Sequence, residues 1–374
     1  MKGKVVVGMS GGVDSSVAAW LLKREGYDVI GVTMRTWQAD EGKQERGCGG
    51  AQGEVSGEEN HLEDITADAG RVAEILGIPY YVADFRKEFK CHVMDYFVQE
   101  YLKGRTPNPC IECNRHVKWE ALLKKGRELG ADYIATGHYA GIDRLPNGRY
   151  ALRSCGAAKD QTYALYGLTQ AQLAHTLMPV GAYTKEEIRS FAAEAGLPVA
   201  GKPDSQEICF LPDGDYVGFI EREAGGALPG PGFFVDAAGK RLGCHKGVIH
   251  YTIGQRRGLE LPMGERVYVT EIRPDTNEVV IGRNEDLYVD EVFCGHVHYM
   301  AIRDLEEPMQ VLGKIRYNHK GEYCRIEKLS DGSVRAVFEQ PVRAATPGQS
   351  ICFYDGAHVL GGGVITGGGK SCRT

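Results

Sequence analysis

Three short segments combine residue types that can do chemistry. The first, Ser10-Gly11-Gly12-Val13-Asp14-Ser15, follows an apolar string and opens a helix-type pattern. Gly11 and Gly12 permit backbone angles that a side chain forbids. Ser10, Ser15 and Ser16 add hydroxyl donors where a helix begins with unpaired N–H groups. Such a turn is an anion cradle, most naturally for phosphate. It is neither G-x-x-x-x-G-K-[ST] nor G-x-G-x-x-G. Asp14 has a place beside phosphate if it caps the helix or meets a magnesium ion.

The second segment runs from Arg105 to Arg115 and contains Asn108-Pro109-Cys110-Ile111-Glu112-Cys113. Two prolines stiffen the approach, and the pattern predicts a helix starting near Asn114, with Cys113 just before it and Arg115 and Lys118 close by. A helix N-terminus with cations lowers a thiol pKa, which predicts Cys113 to be the more acidic thiol. A lone C-x-x-C also fits half a zinc site or a redox pair, but no second C-x-x-C or H-x-x-x-H completes a zinc set. The third segment, Asp204 to Phe210, carries Cys209 between Ile208 and Phe210, a setting that equally suits a small buried hydrophobe.

These segments must be positioned by regular elements. Apolar strings at Val5 to Met9, Val29 to Met34, Tyr80 to Ala83 and Tyr133 to Ala135 alternate with helix-type stretches near 13–25, 62–76 and 115–129. This alternation predicts a parallel sheet with helices on both faces, ligands lying at the strands' carboxyl ends. Gln38 to Asn60 is polar, glycine-rich and aperiodic, and reads as a loop beside the site in which Cys48 is incidental. Thr184-x-x-Glu187 is a capping box for a helix stopped by Gly196. Beyond about residue 210 prolines and glycines become dense, and turn signals such as Asp331-Gly332 separate β-type strings. One string, Met309 to Tyr317, alternates with a two-residue period, so the C-terminal third is expected to be an antiparallel barrel or sandwich.

The 374 residues suffice for two or three domains. A net charge of −6 argues against indiscriminate nucleic-acid binding but allows local basic surface. Two segments offer such surface: His245, Lys246, His250, Arg256 and Arg257 with Tyr251, and Lys314, Arg316, His319 and Lys320 with Tyr317. Eleven cysteines, an odd number with no signal-like or membrane-length apolar segment, are expected to be reduced thiols of a cytoplasmic protein without membrane contact. The terminal Cys372-Arg373-Thr374 is one residue too short for a prenylation box.

Six motifs occur in one order: the phosphate turn, TPNPCIECN, TGHYA (136–140), KDQTYAL (159–165), DSQEICF and HKGVIHYTIGQRRGL (245–259). Together, and over essentially the whole chain, they resemble the tRNA-specific 2-thiouridylase family, which places sulfur on C2 of the wobble uridine. The resemblance implies an α/β PP-loop ATP-pyrophosphatase domain over 1–210. A small central domain over 211–284 and a C-terminal antiparallel β-barrel over 285–374, both contacting tRNA, would follow.

The implied reaction adenylates the C2 oxygen with ATP and Mg²⁺, releasing pyrophosphate, and then replaces AMP by sulfur. By this resemblance Gly8, Met9, Ser10, Gly11, Gly12, Val13, Asp14, Ser15, Met34 and Gly137 contact ATP. Cys209 carries a persulfide received from a sulfur-relay protein or cysteine desulfurase, and Cys113 is the nucleophile that ends in a disulfide with it. Asn108, Pro109 and Cys110 face the target base. His138, Lys159, Asp160, Gln161, Arg316, Tyr317 and Gln349 face the anticodon arm of the tRNA. Many family members have aspartate where this chain has Cys110, which opens a second route: a [4Fe–4S] cluster held by Cys110, Cys113 and Cys209. Two rivals stay open, a nitrogen-delivering PP-loop ligase that needs neither thiol and a nucleotide-regulated tRNA-binding protein with a structural C-x-x-C.

Overall fold

The computed structural model describes residues 2–37, 57–156, 159–203, 208–226 and 228–370, with 57–64 as backbone alone. Strand β1 (Lys4–Gly8) carries three consecutive fully buried valines, as a central parallel strand covered on both faces requires. It pairs in parallel with β2 (Asp28–Arg35), which in turn pairs with β3 (Tyr80–Asp84). On its other side it pairs with β4 (Tyr133–Ala135), next to the two-residue strand Thr176–Leu177. The chain thus leaves β1 in one direction and returns on the other side, opening a crevice at the carboxyl ends of β1 and β4.

The alternation of β1 divides two cores. Val5 and Val7 pack with Val17 and Leu21 of helix α1 (Val13–Arg24), Val72 of helix α2 (Gly57–Leu76) and Ile188 of the helix Lys185–Glu194. Val6 faces the opposite way, among Trp119 and Leu122 of the helical run 109–128. Each such buried aliphatic side chain contributes about 1.5–3 kcal/mol. Trp119 is fully buried, and its indole N–H donates to Thr176 Oγ1 at 2.9 Å.

The middle of the chain forms a four-stranded sheet from Gly232–Val235, Arg241–His245, Tyr268–Arg273 and Glu278–Gly282, with its own core around Phe234, Tyr251 and Val269. The last third is a closed antiparallel barrel rather than a sandwich. Its strands run in the order 288–299, 334–343, 322–328, 309–314, 350–355 and 358–369, and the last pairs back to the first. A hairpin of Gly141–Arg144 and Tyr150–Arg153 from the first domain attaches to this barrel through Arg153 and His358.

Three local expectations need correction. Helix α2 starts at Gly57, so the predicted loop loses its last four residues to helix, while 38–56 lie outside the described residues. The thiol-bearing helix starts at Pro109, not near Asn114, because Asn108 is its N-cap: its side-chain oxygen accepts from the Cys110 N–H at 3.1 Å, and proline suits the first helical position. The strand beginning at Met309 ends at Lys314, since the His319 N–H turns back onto the Arg316 carbonyl, leaving Tyr317 43% exposed. The Thr184 capping box is present in both halves.

Candidate active site

The phosphate turn forms where β1 meets α1. Gly11 has φ +66°, and a Cβ there would lie 2.7 Å from the Ile65 carbonyl oxygen, so only glycine fits. Gly12 is the N-cap with no side-chain cap, which leaves the first N–H groups of α1 available to an anion. Ser15 Oγ accepts from the Ser10 N–H at 3.2 Å and lies 3.3 Å from Ser10 Oγ, fixing the cradle's curvature. Gly8 ends β1 beside Met34, whose methyl would lie 3.6 Å from a Cβ at Gly8; Met9 and Val13 are buried beneath the turn.

Asp14 does not cap the helix. Its carboxylate accepts from Tyr139 Oη at 2.7 Å and pairs with Lys185 Nζ at 2.6 Å. Lys202 Nζ reaches the Gly11 carbonyl at 3.3 Å and pairs with Asp68 at 2.7 Å, holding the Asp68 carboxyl below its ordinary range. Lys185, Lys202, Tyr139 and Asp68 are therefore site residues that sequence reasoning missed. Of these, only Tyr139, inside TGHYA, and Lys185, just after its helix N-cap, belong to the motifs named above.

The loop after β4 abuts the turn from the other side. A Cβ on Gly137 would lie 2.6 Å from the Ser15 backbone nitrogen, so glycine permits this approach. His138 Nδ1 lies 2.8 Å from Thr136 Oγ1, and its ring centroid is 5.3 Å from that of Trp119. Burial, reinforced by the Lys118 charge, pushes its pKa well below the ordinary imidazole value, so the ring is neutral.

The thiols occupy the next position along. Cys113 is buried, whereas Cys110 and Cys209 are exposed. Desolvation raises the Cys113 thiol rather than lowering it as the helix start and its cations predict, opposed by Lys118 and reinforced by Cys110. Cys209 keeps an exposed edge, yet the chain surrounding it pushes its thiol up to about 12, with Cys113 and then Cys110 acting in the same direction and Lys118 against. Cys110 thus acts on both other thiols, and Cys113 on Cys209. Cys113 and Cys209 are free thiols here. Among the described residues no three His, Cys, Asp or Glu side chains are arranged to hold a metal ion. Residues 204–207 of the Cys209 motif lie outside the described residues.

The residues expected to face tRNA divide into two groups. Asp160 turns inward, accepting from the N–H groups of Cys155 (3.0 Å) and Thr162 (3.1 Å). Gln161 Oε1 accepts from the Tyr139 N–H at 2.9 Å, and Gln349 Nε2 donates to the Thr106 carbonyl at 2.8 Å. Arg316 donates to the Arg343 carbonyl at 2.8 Å, and Pro109 is buried. Cys110 and Tyr317 present exposed surface, and Tyr317 is raised in pKa by burial and then by Asp160, Cys155 and Cys110; its ring centroid lies 6.2 Å from that of Tyr163. Lys159 and His138 are both partly exposed.

Three family models match in succession: the tRNA methyl transferase HUP domain over residues 3–213, the tRNA methyl transferase PRC-barrel domain over 218–283 and the aminomethyltransferase beta-barrel domain over 289–365. The tRNA-specific 2-thiouridylase MnmA of Lachnoclostridium phytofermentans is 59% identical over 363 residues, covering 97% of this chain and 99% of its own. That of Clostridioides difficile is 49% identical, covering 98% of each. With a phosphate turn, a thiol pair and two barrels in the same chain order, this chain belongs to the tRNA-specific 2-thiouridylase family.

Proposed function

We propose that this protein uses ATP to replace the C2 oxygen of the wobble uridine of tRNA by sulfur, in the cytoplasm. The observation that carries the reading is the contiguity of the two halves of the site. Gly137 touches Ser15 of the phosphate turn, while its neighbour His138 feels the same lysine that acts on Cys113 and Cys209. A base lying on this loop would reach a nucleotide α-phosphate on one side and a thiol on the other.

The uridine leaves the anticodon stack to enter the crevice. Its C2 oxygen attacks the α-phosphate of ATP and pyrophosphate departs, which converts a poor leaving group into AMP. The N–H groups at the start of α1, the Ser10 and Ser15 hydroxyls and Lys185 stabilise the charge on the phosphates. Asp14 offers a single carboxylate, which suits magnesium carried in largely by the nucleotide's own phosphates; when bound, the ion would supply charge neutralisation there. Cys209 receives a persulfide from a sulfur donor, and Cys113 attacks its inner sulfur, so that hydrosulfide is released to C2 and AMP leaves.

The test combines α-labelled ATP, Mg²⁺, a sulfur donor and unmodified wobble-uridine tRNA, following AMP release together with retardation of the tRNA on a mercury gel. Release and retardation together support the reading. AMP without retardation identifies an adenylating ligase of another kind, and ATP binding without AMP a nucleotide-regulated binding protein.

A further inference from the structure

Lys118 follows Cys113 by five residues. On an α-helix, neighbours on one face are three and four residues apart, so position 118 would point away from 113. The segment Cys113–Ala121 is instead π-helical, bonded from residue i to i+5, a register that stacks 118 over 113. Nine residues of this rare geometry begin at Cys113 itself, and π-turns concentrate at functional sites.

Lys118 is half-buried and, among the described residues, forms no ion pair. The acids of its own helical run serve other bases: Glu112 and Glu120 lie 3.4 and 2.9 Å from the ring nitrogens of His116, and Glu128 lies 3.1 Å from Lys125 Nζ. Its charge instead acts on Cys113, Cys209 and His138, in each case second to desolvation or opposing it. It is the cation that opposes desolvation at both thiols. A lysine kept from carboxylates, half-buried, and set by an unusual backbone register over the position of Cys113 is placed to hold an anion there.

We propose that Lys118 is a positioning residue for sulfur transfer, its ammonium stabilising the sulfur anion as it passes from Cys209 toward the activated uridine. This rests on the proposed roles of the two thiols. The Cys113 thiolate attacks the Sγ of persulfidated Cys209, a Cys113–Cys209 disulfide forms, and the S–S bond of the persulfide breaks with its electron pair leaving on hydrosulfide. Hydrosulfide then adds to C2 and AMP departs, with one proton released. A thiol reductant supplies the two electrons and two protons that restore the pair.

The test compares the full-length enzyme with its Lys118→Gln and Lys118→Arg variants, using Cys113→Ser and Cys209→Ser as references. Iodoacetamide alkylation of Cys113 and Cys209 is followed by peptide mass spectrometry across a pH series. Single-turnover transfer to tRNA is followed after loading the enzyme with inorganic polysulfide. Lys118→Gln should slow alkylation of both thiols about 3–10-fold near neutral pH and slow transfer about 10-fold or more, while Lys118→Arg stays within about threefold on both. Wild-type alkylation rates in Lys118→Gln overturn the proposal, and so does an arginine variant as impaired as the glutamine one, which would mark a packing role. Wild-type transfer by Cys113→Ser instead sinks the thiol reading, and the alkylation rates still decide whether Lys118 acts on the sulfurs.

Discussion

At the scale of single residues, charge placement decides what each group can do. Asp14 is held by Lys185 and Tyr139 at the mouth of the phosphate turn. Asp14→Ala should therefore abolish pyrophosphate release while leaving tRNA affinity within about twofold; a collapse of tRNA binding in a filter assay would place the nucleotide elsewhere. His116 is raised in pKa, first by Glu112, with Glu120 adding and burial opposing. Its stabilising charge is fully present below the unfolded imidazole value of about 6.5 and is lost as pH rises through the higher folded value. Melting curves of wild type and His116→Asn should accordingly diverge in mild acid and converge as pH rises past the raised folded value; a gap that widens with pH would refute the assignment. The serines, glycines and Asp14 of the turn were legible because adjacent residues build it. Lys185 and Lys202 were not, since each meets its partner in the turn only across more than a hundred residues of chain.

At the scale of elements, start signals mattered more than composition. Asn108 and Pro109 open the thiol helix one turn earlier than the cysteine spacing suggested, placing Cys110 in its first turn and drawing Cys113 into the interior. Asn108→Ala should cost about 1 kcal/mol in urea unfolding. An unchanged midpoint would mean that the prolines alone set the helix start. The four long-range strands and the Thr184 capping box could be read directly, because valine runs and S/T-x-x-E signatures are local. The π register was illegible: a one-residue widening of the turn leaves no trace in hydrophobic spacing, yet it determines what lies over Cys113.

At the scale of the whole molecule, an acidic chain must present basic surface to RNA. Lys314 stacks over Tyr354 with its ammonium 5.0 Å from the ring centroid, and Arg316 spends one N–H on a carbonyl, so neither is neutralised by a carboxylate among the described residues. Lys314→Ala or Arg316→Ala should weaken tRNA binding and reduce the slope of log K against log salt by roughly one each. Full retention of the slope would return them to solvated surface. The barrel itself was expected, but its attachment was hidden, because the Gly141–Arg153 hairpin gives no sign that its partner strand lies some two hundred residues later. Tyr163 of the KDQTYAL turn donates to the Ser350 carbonyl at 2.7 Å, and Tyr166 Oη lies 3.1 Å from Ser350 Oγ. The approach to the thiols is gripped similarly: Gly104 lies against Ile272 and Pro274, and the Thr106 N–H donates to the Pro347 carbonyl at 2.9 Å. The three family domains are consequently not portable modules. A nucleotide-binding half cut free near residue 213 would lose the contacts with Ile272, Pro274, Pro347 and Ser350 that grip its own thiol loop and KDQTYAL turn, so the two later domains are part of the mould in which that loop is cast.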